Sequence, residues 1–140
     1  MTLDDARAVL KANQDIAEGA FLFALHERDR FDAAAFWTLY NATVILGGVA
    51  PEERGAQIRD DAFWVYRNIL MLLLWHFHPG DQAHIEALPD DLAAYVARIE
   101  WGFHPLIRGQ RGYGWSETFG DGLTNPQHAV LTGYFERKGT

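Results

Sequence analysis

Apolar residues at helical spacing, each run opened by a helix-capping residue, constrain the fold of this chain most. Thr2 and Asp5 have the spacing of a capping box at the start of the first run. Asp32 precedes a second run, and the Gly47-Gly48 pair that follows it is a typical helix end. The periodicity therefore predicts one helix from residue 2 to about residue 24 and a second helix over residues 33–46.

Proline marks the start of two further predicted helices. Pro51 is followed by two glutamates, and acidic residues in a first turn are stabilised by the helix dipole. This third helix is predicted to run to about residue 78, with Gly55 as a weak point in its first turn. Pro89 opens the fourth, whose apolar residues extend over 92–103. Because no strand-like alternation occurs before residue 105, residues 1–108 are predicted to form a helical core.

The C-terminal residues 109–140 differ in composition from this core. Five glycines lie within residues 109–122, and that density is typical of a loop. Asn125-Pro126 then predicts an N-cap and a first-turn proline for a short final helix, with a small hairpin as the alternative. No linker composition divides the chain. We therefore expect one all-α domain over residues 1–140, with four to five helices, a loop rich in glycine and aromatic residues, and this final helix.

Two similar heptapeptides indicate where the core lies. AFWTLYN occupies residues 35–41 and AFWVYRN occupies residues 62–68, each inside an apolar helical segment. Large aromatic side chains contribute strongly to core packing. Trp37 and Trp64 are therefore predicted to be largely buried.

Charge and cysteine content exclude several functional classes. The chain has 19 acidic and 12 basic residues, a net charge of −7, whereas a nucleic-acid surface needs clustered Lys and Arg. Cysteine is absent, which removes disulfides, thiolate nucleophiles and cysteine-based zinc sites. The N-terminus is acidic where a signal peptide is basic, and the uncharged run 33–51 contains polar residues and glycines. We therefore expect a cytoplasmic protein with neither a nucleic-acid nor a membrane partner.

Three of the six histidines lie in a pentapeptide that occurs twice with one substitution. WHFHP at 75–79 returns as WGFHP at 101–105. Because a residue before proline is pushed out of the α region, His78 and His104 are each predicted to lie at or just beyond a helix end. The alternative interpretation is a metal site formed by His76, His78 and His104. Their spacing matches no established metal motif.

Catalytic patterns are absent from the sequence. Ser116 is the only serine, and its surroundings, GWSET, have a threonine where the nucleophile elbow GxSxG has its second glycine. The acidic pairs Asp60-Asp61 and Asp90-Asp91 are adjacent in sequence, and neighbouring side chains on a helix diverge. We therefore expect no enzymatic activity and no cofactor.

These observations favour a protein-binding domain whose partner is basic. The profile resembles that of the immunity proteins that neutralise bacterial toxins, in size, acidity and lack of a catalytic motif. The docking residues we predict are aromatic anchors and acids in the tail, together with the two acidic pairs; they are Tyr113, Trp115, Glu117, Asp121, Asp60, Asp61, Asp90 and Asp91. Two alternatives remain: a metal-binding or metal-dependent enzyme built on the histidines, and a helical pocket for an apolar ligand. The sequence does not indicate an oligomeric state.

Overall fold

The computed structural model describes residues 1–80, 84–115 and 119–139, and these residues form an all-α domain. No β-strand occurs in those ranges, where an isolated bridge between Arg30 and Glu86 was found instead. The all-α prediction is therefore confirmed. Seven helices form within the described ranges: α1 (Leu3–Gln14), α2 (Phe21–Glu27), α3 (Ala33–Gly47), α4 (Pro51–Arg54), α5 (Ile58–His76), α6 (Leu92–Arg108) and α7 (His128–Arg137).

Two predicted helices are each split in two, which is why the structure has more helices than the four or five expected. The first ends at Gln14, and the chain turns through left-handed conformations at Ile16 (φ 51°) and Gly19 (φ 89°) before α2 begins. The side chain of Asn13 joins the two pieces, because its Oδ1 accepts a hydrogen bond from the Leu22 amide at 2.9 Å. A buried polar side chain thus stabilises a break that apolar spacing does not reveal.

The predicted third helix is interrupted at Gly55. This residue has φ 106°, a conformation that glycine adopts without the steric cost other residues pay. The chain forms only the four-residue α4 after Pro51 and resumes as α5 at Ile58. The capping predictions nevertheless hold at both earlier helix starts, since Thr2 and Asp5 form a capping box and Asp32 accepts a hydrogen bond from the Ala35 amide.

The core is centred on α3, which packs against α1, α2, α6 and α7. Trp37 is 2% exposed and lies beside Tyr95 of α6, at a ring-centroid distance of 5.8 Å. Its predicted burial is confirmed. Trp64 lies on α5 at the edge of the core and is partly buried against it, so for the second heptapeptide the prediction is met only in part.

Helices α3 and α6 approach closely at Gly102. A Cβ atom at this position would lie 2.0 Å from Thr43 Oγ1, so only glycine fits the crossing without movement. Helix α6 continues past this contact through Pro105 and ends at Gly109, which is left-handed with φ 66°. The prediction that His104 lies at a helix end is therefore wrong, whereas His78 does lie just beyond the end of α5.

The final helix is confirmed, and the hairpin alternative is wrong. Leu131, Tyr134 and Phe135 of α7 are buried and belong to the same core as α3. The N-cap of α7 is Gln127, not the predicted Asn125. Asn125 is buried and donates a hydrogen bond to Asn41 Oδ1 at 2.8 Å. Within the part of the chain that the structure describes, no helix is both long enough and apolar enough to span a membrane.

Candidate interaction surface on the C-terminal tail

The segment between α6 and α7, residues 109–127 and called the tail here, is attached to the C-terminal end of α3 by a buried arginine. Arg54 is 3% exposed, and its Nε donates to the Leu46 carbonyl at 2.7 Å. Its Nη2 donates to the Gln110 carbonyl at 2.6 Å. One guanidinium therefore pairs the unsatisfied carbonyls of a helix end and holds the first turn of the tail.

The electrostatics of Arg54 follow from this placement. Burial lowers the pKa of its guanidinium, and the nearby positive charge of Arg111 lowers it further. The negative end of the α3 dipole has the opposite effect and favours a cation at this position. Arginine keeps its proton under these conditions, whereas a lysine in the same place is far easier to deprotonate.

Backbone contact between two glycines brings the tail against α3. The Gly112 amide donates to the Gly47 carbonyl at 2.8 Å. A Cβ atom on either residue would lie within 3.2 Å of the other's backbone. The Gly47-Gly48 pair therefore ends α3 and also provides the surface on which the tail lies.

Helix α6 supports the next part of the tail with two side chains of the second pentapeptide. Trp101 Nε1 donates to the Gly114 carbonyl at 3.1 Å, and its ring meets that of Tyr113 at 5.2 Å in an edge-on arrangement. The Tyr113 hydroxyl is 2.7 Å from His104 Nδ1. His104 therefore positions a tail tyrosine.

Helix α7 supports Trp115. Its indole stacks on the ring of Phe135 at 5.1 Å with an interplanar angle of 9°, and the ring of His128 lies 5.2 Å away. One face of the indole is therefore covered. Trp115 still keeps 37% of its surface exposed and Tyr113 keeps 42%. The two predicted anchors thus lie on the surface, in positions set by the helices beneath them.

A second buried arginine holds the far end of the tail. Arg98 of α6 is 1% exposed and donates to the Leu123 carbonyl. Its guanidinium lies 4.1 Å from the centre of the Phe119 ring, and Asp121 Oδ1 is 4.0 Å from Nη2. Burial raises the pKa of the neighbouring Tyr40 hydroxyl, and the positive charge of Arg98 opposes this rise. Asp121, predicted as a docking acid, thus also takes part in holding the tail.

A cleft of about 140 Å³ opens between the tail and the helices beneath it. Aromatic residues and glycines make up most of its lining. Pockets for free small molecules typically have volumes of about 300–1,000 Å³, and this cleft is smaller. A larger hollow of about 590 Å³ is a shallow depression along α7 that is open to solvent. Cleft residues include Gly47, Gly102, Gly112, Trp101, Tyr113 and Phe135.

The predicted acidic pairs do not join the tail residues in one patch. Asp61 is buried at 7% exposure and accepts a hydrogen bond from Gln57, so it is unavailable for docking. Asp60 is exposed at the start of α5, close to the end of α6, because Arg59 approaches Gly109. Asp90 and Asp91 are exposed at the other end of α6, a helix about 25 Å long. Glu117 lies outside the described residues.

The histidines of the alternative metal site lie apart. Tyr66 of α5 and Phe103 of α6 are opposite each other, with ring centroids 6.0 Å apart. His76 is ten residues beyond Tyr66 along α5, which corresponds to about 15 Å. His104 therefore does not share a site with His76, and the structure does not bring the three histidines of this alternative together. No group of three His, Asp or Glu residues arranged to hold a metal occurs among the described residues.

Sequence reasoning missed three features of this surface and its surroundings. Arg98 is a lone charge on the apolar face of a predicted helix, and that position is the signal that identifies it. Arg54 follows a helix start and gives no comparable signal. The third feature is the outer face of α5 and its C-cap, where large apolar side chains are exposed on one side of the helix: Phe63, Met71, Leu74, Trp75 and Phe77.

No protein-family model, curated protein or solved structure matches this chain. A function must therefore be inferred from the chain's own residues. Two surfaces have exposed aromatic side chains, the tail and the outer face of α5.

Proposed function

We propose that this chain is a protein-binding domain without catalytic activity, and that it docks its partner through the tail. One observation carries the proposal: Tyr113 and Trp115 each present an exposed part of the ring from a fixed position beside an unfilled cleft. Tyrosine and tryptophan are enriched among residues that dominate binding energy at protein interfaces. The cleft has the size of a side chain, so it suits an apolar anchor residue of a partner better than a free ligand.

Fixed geometry favours binding because association then orders fewer side chains. Each flexible side chain that is immobilised on binding costs about 0.5–1.5 kcal/mol. Hydrogen bonds to Gly114 and Tyr113 and the stack on Phe135 hold this surface in place within the free protein. The partner therefore meets a rigid aromatic surface, not the flexible loop that the glycine content suggests.

The charge distribution favours a basic partner. With a net charge of −7, the chain attracts basic proteins over a distance, and this attraction raises the rate of encounter. Asp60 and Asp91 lie far apart on the domain, so they contribute to this long-range field and do not form one contact patch. A basic toxin or secreted effector is the partner that the size, acidity and lack of a catalytic motif favour.

The test is to identify the partner by cross-linking in the native host and then to compare two tryptophan variants. Trp115→Ala is expected to weaken binding by about 2 kcal/mol, roughly thirtyfold in Kd. Trp75→Ala is the matched control, because Trp75 is exposed to a similar degree, 47%, but lies on α5. Its affinity for the partner, measured per subunit with both proteins in solution so that avidity plays no part, is expected to equal that of the wild type. The association rate should fall as ionic strength rises, with a much smaller change in the dissociation rate.

Two results would overturn the proposal. One is a partner that binds the Trp115→Ala variant as tightly as the wild type, with both proteins shown to be folded at the temperature used. The other is the recovery of no protein partner from the native host under conditions in which the tagged chain is expressed and folded.

A further inference from the structure

The outer face of α5 carries an apolar stripe that nothing in the domain covers. Phe63 is 55% exposed, Leu74 is 64% exposed and Phe77 is 64% exposed, while Met71 and Trp75 are exposed at 36% and 47%. The opposite face of the helix faces the core through Ile58, Ala62, Val65, Ile69 and Leu73. Helix α5 is therefore apolar on two faces, of which the fold buries only one.

The stripe is large enough to matter for association. With about 150–250 Å² per aromatic side chain, the five side chains expose on the order of 500 Å² of apolar surface. A standard interface buries roughly 800 Å² on each partner. The stems of flanking residues such as Arg67 add to this area, so the face supplies the larger part of what a standard interface buries.

The order of residues along the stripe makes it complementary to itself. Among the exposed positions of this face, 60, 63, 67, 71, 75 and 78 form a series that is symmetric about residue 69, and Leu74 and Phe77 are exposed beside it. When two copies of α5 pair in antiparallel orientation about that point, Phe63 of one copy meets Trp75 of the other. Arg67 then lies against Met71 of the second copy, with its aliphatic stem in contact and its charge at the edge.

The ends of the stripe are also complementary in this arrangement. Asp60 of one copy lies opposite His78 of the other, so an acid faces an imidazole at both ends. Within the stripe the central charge is the cation of Arg67, so the stripe lacks the acidic character that would attract a basic partner. An isologous two-fold contact repeats each favourable pair twice.

We infer that this face is a homodimer interface, in which two copies of the chain pair through antiparallel α5 helices. The contact is separate from the tail, so each subunit keeps its tail surface free. The dimer contact is stabilised by burial of apolar side chains. Added salt should therefore leave the dimer intact or strengthen it, whereas it should slow the association of a basic partner with the acidic chain.

The first experiment measures mass against concentration by sedimentation equilibrium. A dimer of the 15.8 kDa chain is expected. The double variant Met71→Lys with Leu74→Lys places two charges in the stripe and should raise the dimer Kd by about thirtyfold or more. Both side chains are exposed in the single chain, so its circular dichroism should match that of the wild type. Its melting temperature should match as well when both proteins are diluted until they are monomeric, since dimerisation itself stabilises the folded state. Ala97→Lys, at an exposed position of α6, is the matched control and should remain dimeric.

The second experiment tests the antiparallel orientation through engineered cysteines, which the natural chain lacks. A mixture of the Asp60→Cys and His78→Cys variants should form a disulfide-linked dimer on mild oxidation, whereas each variant alone should not. A parallel pairing would give the reverse result and overturn the assignment. So would a wild-type chain that is monomeric at all concentrations, including one that binds lipid vesicles or another protein through α5 instead. A dimer that survives the double lysine variant would also overturn it.

Discussion

Residues 75–79 and 101–105 share four of five residues, yet they have different structures and different surroundings. In the first copy, α5 ends at His76, and Trp75 and Phe77 are left exposed. In the second, α6 continues through the proline, and Phe103 is 1% exposed. Equal local sequence therefore does not lead to equal structure here.

Packing explains the difference between the two copies. The second position of the pentapeptide is His76 in one copy and Gly102 in the other, and only glycine permits the close approach to Thr43. That approach lets α6 pack along α3 and bury Phe103 and Pro105. Burial of apolar side chains of this size contributes about 1.5–3 kcal/mol each. This free energy of burial exceeds the preference of a residue before proline for a non-helical conformation, so the helix continues.

The largest expected contrast between the copies concerns their phenylalanines. Phe103→Ala removes a buried ring and should lower the free energy of unfolding by about 3–5 kcal/mol. Phe77→Ala changes a side chain that is exposed in the single chain, so at concentrations where the proteins are monomeric it should stay within about 0.5 kcal/mol of the wild type. Chemical denaturation of both variants measures the difference. Equal costs would mean that the two copies have similar surroundings, contrary to the structure.

A smaller effect is expected at the glycine that distinguishes the copies. Gly102→Ala places a methyl group against Thr43 and should destabilise the domain by about 1–3 kcal/mol, as overpacking does. Gly133→Ala is the control, because it is also a glycine within a helix but its nearest neighbour is the flexible end of Arg137 at 3.4 Å. It should stabilise α7 by up to about 1 kcal/mol. Melting temperatures that shift in the same direction would contradict the tight crossing of α3 and α6.

The histidines should show the smallest contrast. His104→Gln disturbs the 2.7 Å contact with the Tyr113 hydroxyl, and a hydrogen bond of this kind contributes about 0.5–1.5 kcal/mol. His78→Gln affects an exposed turn in which Nδ1 accepts from the Gly80 amide, so its effect should lie within about 0.5 kcal/mol. Tyr113 fluorescence or NMR shifts should respond to the first change and not to the second. A response to both would place His78 near the tail.

Several elements follow directly from the sequence because their causes are local. The capping box of Thr2 and Asp5, the cap at Asp32 and the end of α3 at its glycine pair depend on groups within a few residues of each other. The all-α class follows from periodicity of the same short range. Tyr113 and Trp115 are predicted as partner anchors because they are aromatic residues within a glycine-rich segment, and in the structure both keep an exposed part of the ring.

The features that only the tertiary structure determines depend on contacts between residues distant in sequence. The tail is held by Arg54 and Arg98, which reach carbonyls of Gln110 and Leu123, 56 and 25 residues away. Neither pairing leaves a local pattern, because each requires that α3, α6 and the tail have already been placed. The break at Asn13 and the passage of α6 through Pro105 have the same origin. Local preferences are worth about 1 kcal/mol per residue or less, apart from proline, so burial and buried hydrogen bonds determine the structure where the two conflict.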